Sequence, residues 1–309
     1  ITEISYLMKS LFAAFGFMMY IVNLIIPYNL SLIHPYPLSL DITPSLILAI
    51  VFIVTLAFFV WKYKTTHRQI VFGILFFAIN IFLVLQIIPN SYGIMNDHYV
   101  YLAGVGIFIS LYFLLKQSIN STSTLSYLLI GISIILGIFS FTRVHIFKNN
   151  ISVYSDVIKK YSNAYIAYNN RGNAYQNENK INEALNDFNK ALSIIKELPN
   201  TLSNRAVIYI NSQKYQLALE DLNNAILYNP TFANAYSNRG IVKSITNTPG
   251  ALDDMNKAIS LEPTNPKLYY NRAGYYLQTN QKDLACADVQ KAKQMGIKQS
   301  SPMLENACK

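Results

Sequence analysis

Apolar residues follow two different rhythms along this chain. Through residue 141 they come in long runs, at 7–26, 45–61, 69–88, 99–115 and 124–141. A helix needs about 20 apolar residues to cross a bilayer, so the runs predict five membrane spans, the second and fourth at the short limit. Beyond residue 148 the runs stop, and apolar positions recur at helical spacing among polar ones. The pattern predicts an all-α chain in two parts, a polytopic transmembrane helix bundle over 1–147 and a second helical region after it.

The loops between the runs orient the first part. Segment 62–68 carries Lys62, Lys64 and Arg68, and 116–123 carries Lys116, while 27–44 and 89–98 carry no Lys or Arg. Positive loops stay in the cytoplasm, which places 27–44, 89–98 and everything after Phe141 outside. The first outer loop is rich in proline and rings, with Tyr28, His34 and Tyr36. The second ends in Asp97-His98-Tyr99, either an interfacial anchor or a site for a polar lipid headgroup. Gly104, Gly106, Gly131, Ser133 and Gly137 predict close helix packing in the last two spans.

The second part repeats itself. Asn-Arg-small recurs at Asn170-Arg171-Gly172, Asn204-Arg205-Ala206, Asn238-Arg239-Gly240 and Asn271-Arg272-Ala273. Alanines follow at Ala184, Ala218, Ala251 and Ala285, and again seven residues on at Ala191, Ala225, Ala258 and Ala292. Phe188, Leu222, Met255 and Val289 lie between them. Small residues let two antiparallel helices, A and B, approach closely, and the bulky residue fills the space left. Pro199, Pro230 and Pro263 are expected to close the first three units. The third unit is one residue short, with Thr248-Pro249 expected to open its helix B.

This pattern is similar to the tetratricopeptide repeat (TPR). It implies four repeats over 165–296, a junction or half repeat over 148–164 and a capping segment over 297–309. Such solenoids offer an inner groove to proteins or peptides. Asn170, Asn204, Asn238 and Asn271 occupy equivalent helix A positions. They either form an amide ladder for a peptide backbone, resembling the ladder of O-GlcNAc transferase, or brace neighbouring repeats. Cys286 and Cys308, the two cysteines, either form a disulfide that pins the cap or stay as thiols.

Composition sharpens the division and narrows the chemistry. The chain of 309 residues is 52% hydrophobic and 13% charged, against about 25% charged in soluble domains. Residues 1–148 hold 7 Lys and Arg and 3 Asp and Glu, and the remainder holds 18 and 13. The net charge of +9 has no basic run longer than Lys159-Lys160, so a nucleic-acid partner is not expected. The four histidines, His34, His67, His98 and His145, are scattered. No phosphate loop, zinc-protease motif or nucleophile elbow occurs, and neither a cofactor nor a metal is expected.

A multi-span region leading into an outer repeat array resembles the transmembrane and tetratricopeptide protein O-mannosyltransferase family and its bacterial relatives, of the GT-C type. Three places carry the resemblance: Pro27 to Ser31 with Pro35-Tyr36-Pro37, the stretch Asn96 to Leu102, and the junction through Arg143. His98 stands where the family has arginine, and Ala103 where it has proline. The resemblance implies a polyprenyl-phosphate sugar near Asp97, His98 and Tyr99, and a protein of the bacterial inner membrane with its repeats outside. It also implies that the family's catalytic acids precede Ile1, so no catalytic residue is assigned and the chain alone is expected to be inactive. A non-enzymatic, membrane-anchored scaffold is the other reading.

Overall fold

A computed structural model describes residues 6–27, 30–35, 43–82, 85, 93–95, 100–297 and 308. The chain divides into two compact units, Ile1–Ala167 and Tyr168–Lys309.

In the first unit, helices α1 (Tyr6–Ile25), α2 (Pro44–Tyr63), α3 (Arg68–Phe82), α4 (Val100–Ser118) and α5 (Thr122–Val144) take up the apolar runs. The shorter α6 (Asn150–Lys160) follows a single turn of 3-10 helix. Pro44 sits in the first turn of α2, where its missing N–H costs nothing. Ser121 caps α5 by accepting from the Thr124 N–H at 3.3 Å. Asn149 and Ser152 cap the start of α6 reciprocally. Three helical segments, Met8–Ile25, Pro44–Tyr63 and Thr122–Lys148, are long and apolar enough to cross a membrane, and Arg68–Phe82 and Leu102–Ser118 are shorter apolar helices. A two-stranded antiparallel ladder, β1 (His34–Pro35) with β2 (Gly93–Met95), joins two loops where the sequence pattern marked no strand.

Helices α3 and α4 pack most tightly. A Cβ on Gly73 would overlap the Gly106 carbonyl, and one on Gly106 would overlap that of Gly73. Ser110 Oγ donates across the crossing to the Ile70 carbonyl at 2.8 Å. Phe17 of α1 meets Phe77 of α3 edge-on at 5.2 Å, in a core shared with Tyr20, Ile81, Ala103 and Ile107. Helix α5 departs from the packing expected of its small residues. A Cβ at Gly131 or Gly137 would meet nothing within 4 Å among the described residues. The crossing surface of α4 is already taken by α3 and by Leu24 of α1, which lies against Gly104.

The second unit alternates A and B helices. The A helices are α7 (Tyr165–Asn177), which begins in the first unit, α9 (Pro199–Asn211), α11 (Ala233–Ile245) and α13 (Pro266–Gln278). The B helices are α8 (Ile181–Ile194), α10 (Tyr215–Tyr228), α12 (Ala251–Leu261) and α14 (Lys282–Gln294). Every repeating alanine is buried. Gly172 leaves room for the Phe188 ring, since a Cβ there would lie 2.7 Å from Phe188 Cε1. Gly240 does the same for Met255.

Each A-to-B turn needs one left-handed residue, supplied by Asn179, Gln213, Asn247 and Asn280. Two expectations about proline are corrected. Pro199 opens α9 instead of closing the preceding helix B, because a fixed φ suits a helix's first turn. Helix B of the third repeat starts at Ala251, not at Pro249. The turn before it, 246–250, holds five residues against three in the other repeats and ends on Gly250 at φ 83°, so the third helix B begins late and is the shortest of the four, at 11 residues.

Candidate functional site

The residue after each repeating asparagine builds the frame of the site. Arg171 forks onto Asp187 with Nε and Nη2 at 2.7 and 2.8 Å. Arg205 does so with Asp221, Arg239 with Asp254 and Arg272 with Asp288, all between 2.7 and 2.8 Å. Paired geometry of this kind gives strong, directional ion pairs. The third guanidinium nitrogen reaches back one repeat: Arg205 to Asn189 at 2.6 Å, Arg239 to Asn223 at 2.9 Å and Arg272 to Asn256 at 2.6 Å. Tyrosines flank the guanidinium planes, as Tyr168 and Tyr175 do Arg171 at 5.7 and 5.6 Å.

Asp254 is the most heavily paired of the four aspartates, since Lys243 also reaches it at 2.8 Å. Burial pushes its carboxyl up, but the hydrogen bonds and charges of Arg239 and Lys243 outweigh this and hold it below its ordinary value. The guanidinium of Arg239 is raised in turn, first by its hydrogen bond to Asp254.

The asparagines run along the other side of helix A. At about 100° per residue, each lies some 200° around the helix from the small residue that meets helix B. Their amide nitrogens link successive A helices. Asn204 donates to Asn169 Oδ1 at 3.3 Å, Asn238 to Ser203 Oγ at 3.2 Å and Asn271 to Ser237 Oγ at 2.9 Å. In the first repeat, Asn170 Oδ1 accepts from Asn169 at 3.1 Å. The side-chain oxygens of Asn204, Asn238 and Asn271 accept no hydrogen bond among the described residues. Each of these three amides therefore braces with its nitrogen and keeps an acceptor for something else.

Asp97, His98 and Tyr99 lie outside the described residues, as do Tyr28, Tyr36 and the expected cap over 302–307. The described piece of the loop 27–44 is engaged within its own unit. His34 Nδ1 hydrogen-bonds the Tyr161 hydroxyl at 2.6 Å, and Lys160 Nζ donates to the Leu30 carbonyl. Asp156 holds Lys160 at 2.7 Å and Arg143 at 3.0 Å. Leu32 and Ile33 pack on a cluster of Val157, Ala164 and Ala167. At the far end of the chain, Cys286 of α14 and Cys308 form a disulfide with their Cα atoms 4.9 Å apart. Among the described residues no three His, Cys, Asp or Glu side chains gather to hold a metal ion.

The sequence reading assigned no role to the aspartates. Their signal was present, since Asp187, Asp221, Asp254 and Asp288 each follow the first repeating alanine by three residues. The partners Asn189, Asn223 and Asn256 stand two residues further on.

Residues 165–197, 199–232 and 255–287 each match a family model described as tetratricopeptide repeat. Among solved structures, the chain is similar to MamA at 23% identity and a TM-score of 0.40, over 47% of this chain and 85% of that one. It is similar to YrrB, described as a TPR protein with an unusual peptide-binding site, at 21% identity and 0.40, over 51% and 81%. TTC0263, a thermophilic TPR protein in Thermus thermophilus, is similar at 17% identity and 0.46, over 56% and 93%. No curated protein matches the sequence.

Proposed function

From a chain that carries tetratricopeptide repeats over 165–197, 199–232 and 255–287, we propose a membrane-anchored protein that binds extended polypeptide on its A helices. One observation carries this reading: the row of asparagine side-chain oxygens on Asn204, Asn238 and Asn271, left over once the amide nitrogens have tied the repeats together. A peptide main chain supplies N–H donors at regular intervals whatever its side chains, and such a row of acceptors suits it. The three long apolar segments support the anchor. The loops 27–44 and 89–98, which carry no Lys or Arg, and the disulfide support repeats on the extracytoplasmic side.

The experiment is peptide binding by the full chain in detergent, read by fluorescence anisotropy. The triple variant Asn204→Ala, Asn238→Ala, Asn271→Ala is expected to lose at least about tenfold in affinity, the loss of more than one hydrogen bond. Its melting temperature is followed in parallel, so that lost bracing is separated from lost binding. Unchanged affinity in a folded triple variant overturns the asparagine row as the site.

The finer reading is the C-terminal portion of a GT-C-like glycosyltransferase that takes its sugar from a polyprenyl phosphate. The likeness of the stretch Asn96 to Leu102 to that family supports it. Asp97 and His98 would then lie near the lipid-linked donor. Asp97→Ala with His98→Ala in the intact protein is expected to abolish sugar transfer. Full retention of function favours the scaffold that binds partners without chemistry.

A further inference from the structure

Charge is divided between the two helices of every repeat. The four A helices contain no Asp or Glu at all. They carry six cations, and helix B carboxylates take five of them. Asp187 holds Arg171, Asp221 holds Arg205, Asp254 holds both Arg239 and Lys243, and Asp288 holds Arg272. The sixth, Lys267, is exposed in the first turn of α13, four residues before Asn271, so the uncharged stretch of the asparagine side runs along α9 and α11. The remaining charges of the repeats lie on the B helices and in the turns. On the asparagine side, the positions three and seven residues beyond Asn204 and Asn238 are Val207, Asn211, Ile241 and Ile245. None is charged, and Asn211 and Ile245 are exposed.

Resting on the reading that this face binds extended polypeptide, we infer that its partner is an uncharged segment, built of small polar and aliphatic residues. A carboxylate laid on the face over α9 and α11 would shed water and meet no cation to take it, because the guanidinium donors there are already forked onto aspartates. An ammonium would meet no acid. A neutral extended strand loses little on leaving water, keeps its main-chain N–H groups for the asparagine oxygens, and rests aliphatic side chains on Val207, Ile241 and Ile245. Selection is by absence of charge along the segment, and its sequence is read loosely.

Three synthetic peptides of about a dozen residues, enough to span several repeats when extended, test this on the full chain in detergent. One is built of Ser, Thr, Ala and Gly alone. The others replace two central residues by Glu or by Lys. The neutral peptide is expected to bind at least about tenfold tighter than either, with affinity changing less than about twofold between roughly 0.05 and 0.5 M salt. Tighter binding of the Glu or the Lys peptide, or a steep salt dependence for the neutral one, overturns the inference and leaves the binding function standing. Failure of all three to bind overturns both. A second variant keeps the test independent of the bracing bonds: N211K with I245K, at exposed positions, is expected to move the preference to the Glu peptide by about tenfold. An unchanged ranking there shows that the face does not select and also overturns the inference.

Discussion

A single methyl group separates two kinds of glycine in the repeats. At Gly172 an added Cβ would run into the Phe188 ring, whereas at Gly274, two positions after Arg272, it would meet nothing within 4 Å. Gly172→Ala is therefore expected to cost roughly 1–3 kcal/mol by overpacking. Gly274→Ala should gain up to about 1 kcal/mol from helix propensity. Chemical denaturation of the two variants reads opposite signs. Gln213 is the second such position. It holds φ 58° in a turn where the other three repeats use asparagine. Gln213→Asn should stabilise by about 0.5–1 kcal/mol, because asparagine tolerates the left-handed region better. A lower melting temperature would contradict it.

At the level of helices, the third repeat concentrates its charge on one carboxylate. Asp254 binds both Arg239 and Lys243, and its folded-state pKa lies below its ordinary one. A depressed carboxylate contributes stability above its unfolded pKa of about 3.9 and loses it as pH falls through the folded value. The protection of α11 and α12 against hydrogen exchange, taken relative to intrinsic amide exchange at each pH, should therefore fall on acidification below about pH 4. Asp254→Asn should remove most of that dependence. Helix pairing itself was legible in the sequence, because Gly172, Ala184 and Ala191 mark close approach by size alone. The ion pairs were not read, although their spacing recurs, because an exposed-looking Arg and Asp some sixteen residues apart are neighbours only once the hairpin is closed. The turn at Gly250 was missed for a different reason. Proline at 249 fits a helix's first turn equally well from sequence, whereas in the structure it lies inside a five-residue turn that ends on the left-handed Gly250. In the first unit, α5 shows the limit of reading small residues as packing signals, since Gly131 and Gly137 meet no partner helix among the described residues.

For the whole molecule, the proposed placement of the repeats outside has one direct test. After reduction, a membrane-impermeant maleimide should reach Cys286 and Cys308 in intact cells. Labelling only after permeabilisation would put the repeats inside and remove any oxidising compartment that could keep the disulfide. The ties between repeats set how the array responds to damage. Each repeat holds the one before it through an arginine and an asparagine, so losing one pair loosens a boundary between neighbours. Stability in such arrays is close to a sum of units and nearest-neighbour terms.

The contact between the loop after α1 and α6 also has a history in time. Leu30 meets Lys160, and His34 meets Tyr161, across 130 and 127 residues of chain. At a synthesis rate of about 5–20 residues per second, the loop waits on the order of ten seconds before its counterpart exists. During that interval Leu32 and Ile33 lack the Val157, Ala164 and Ala167 cluster, and His34 lacks its tyrosine. The newborn loop is open to proteases and chaperones for as long as the intervening apolar helices take to emerge. A ribosome that stalls before residue 160 leaves it so.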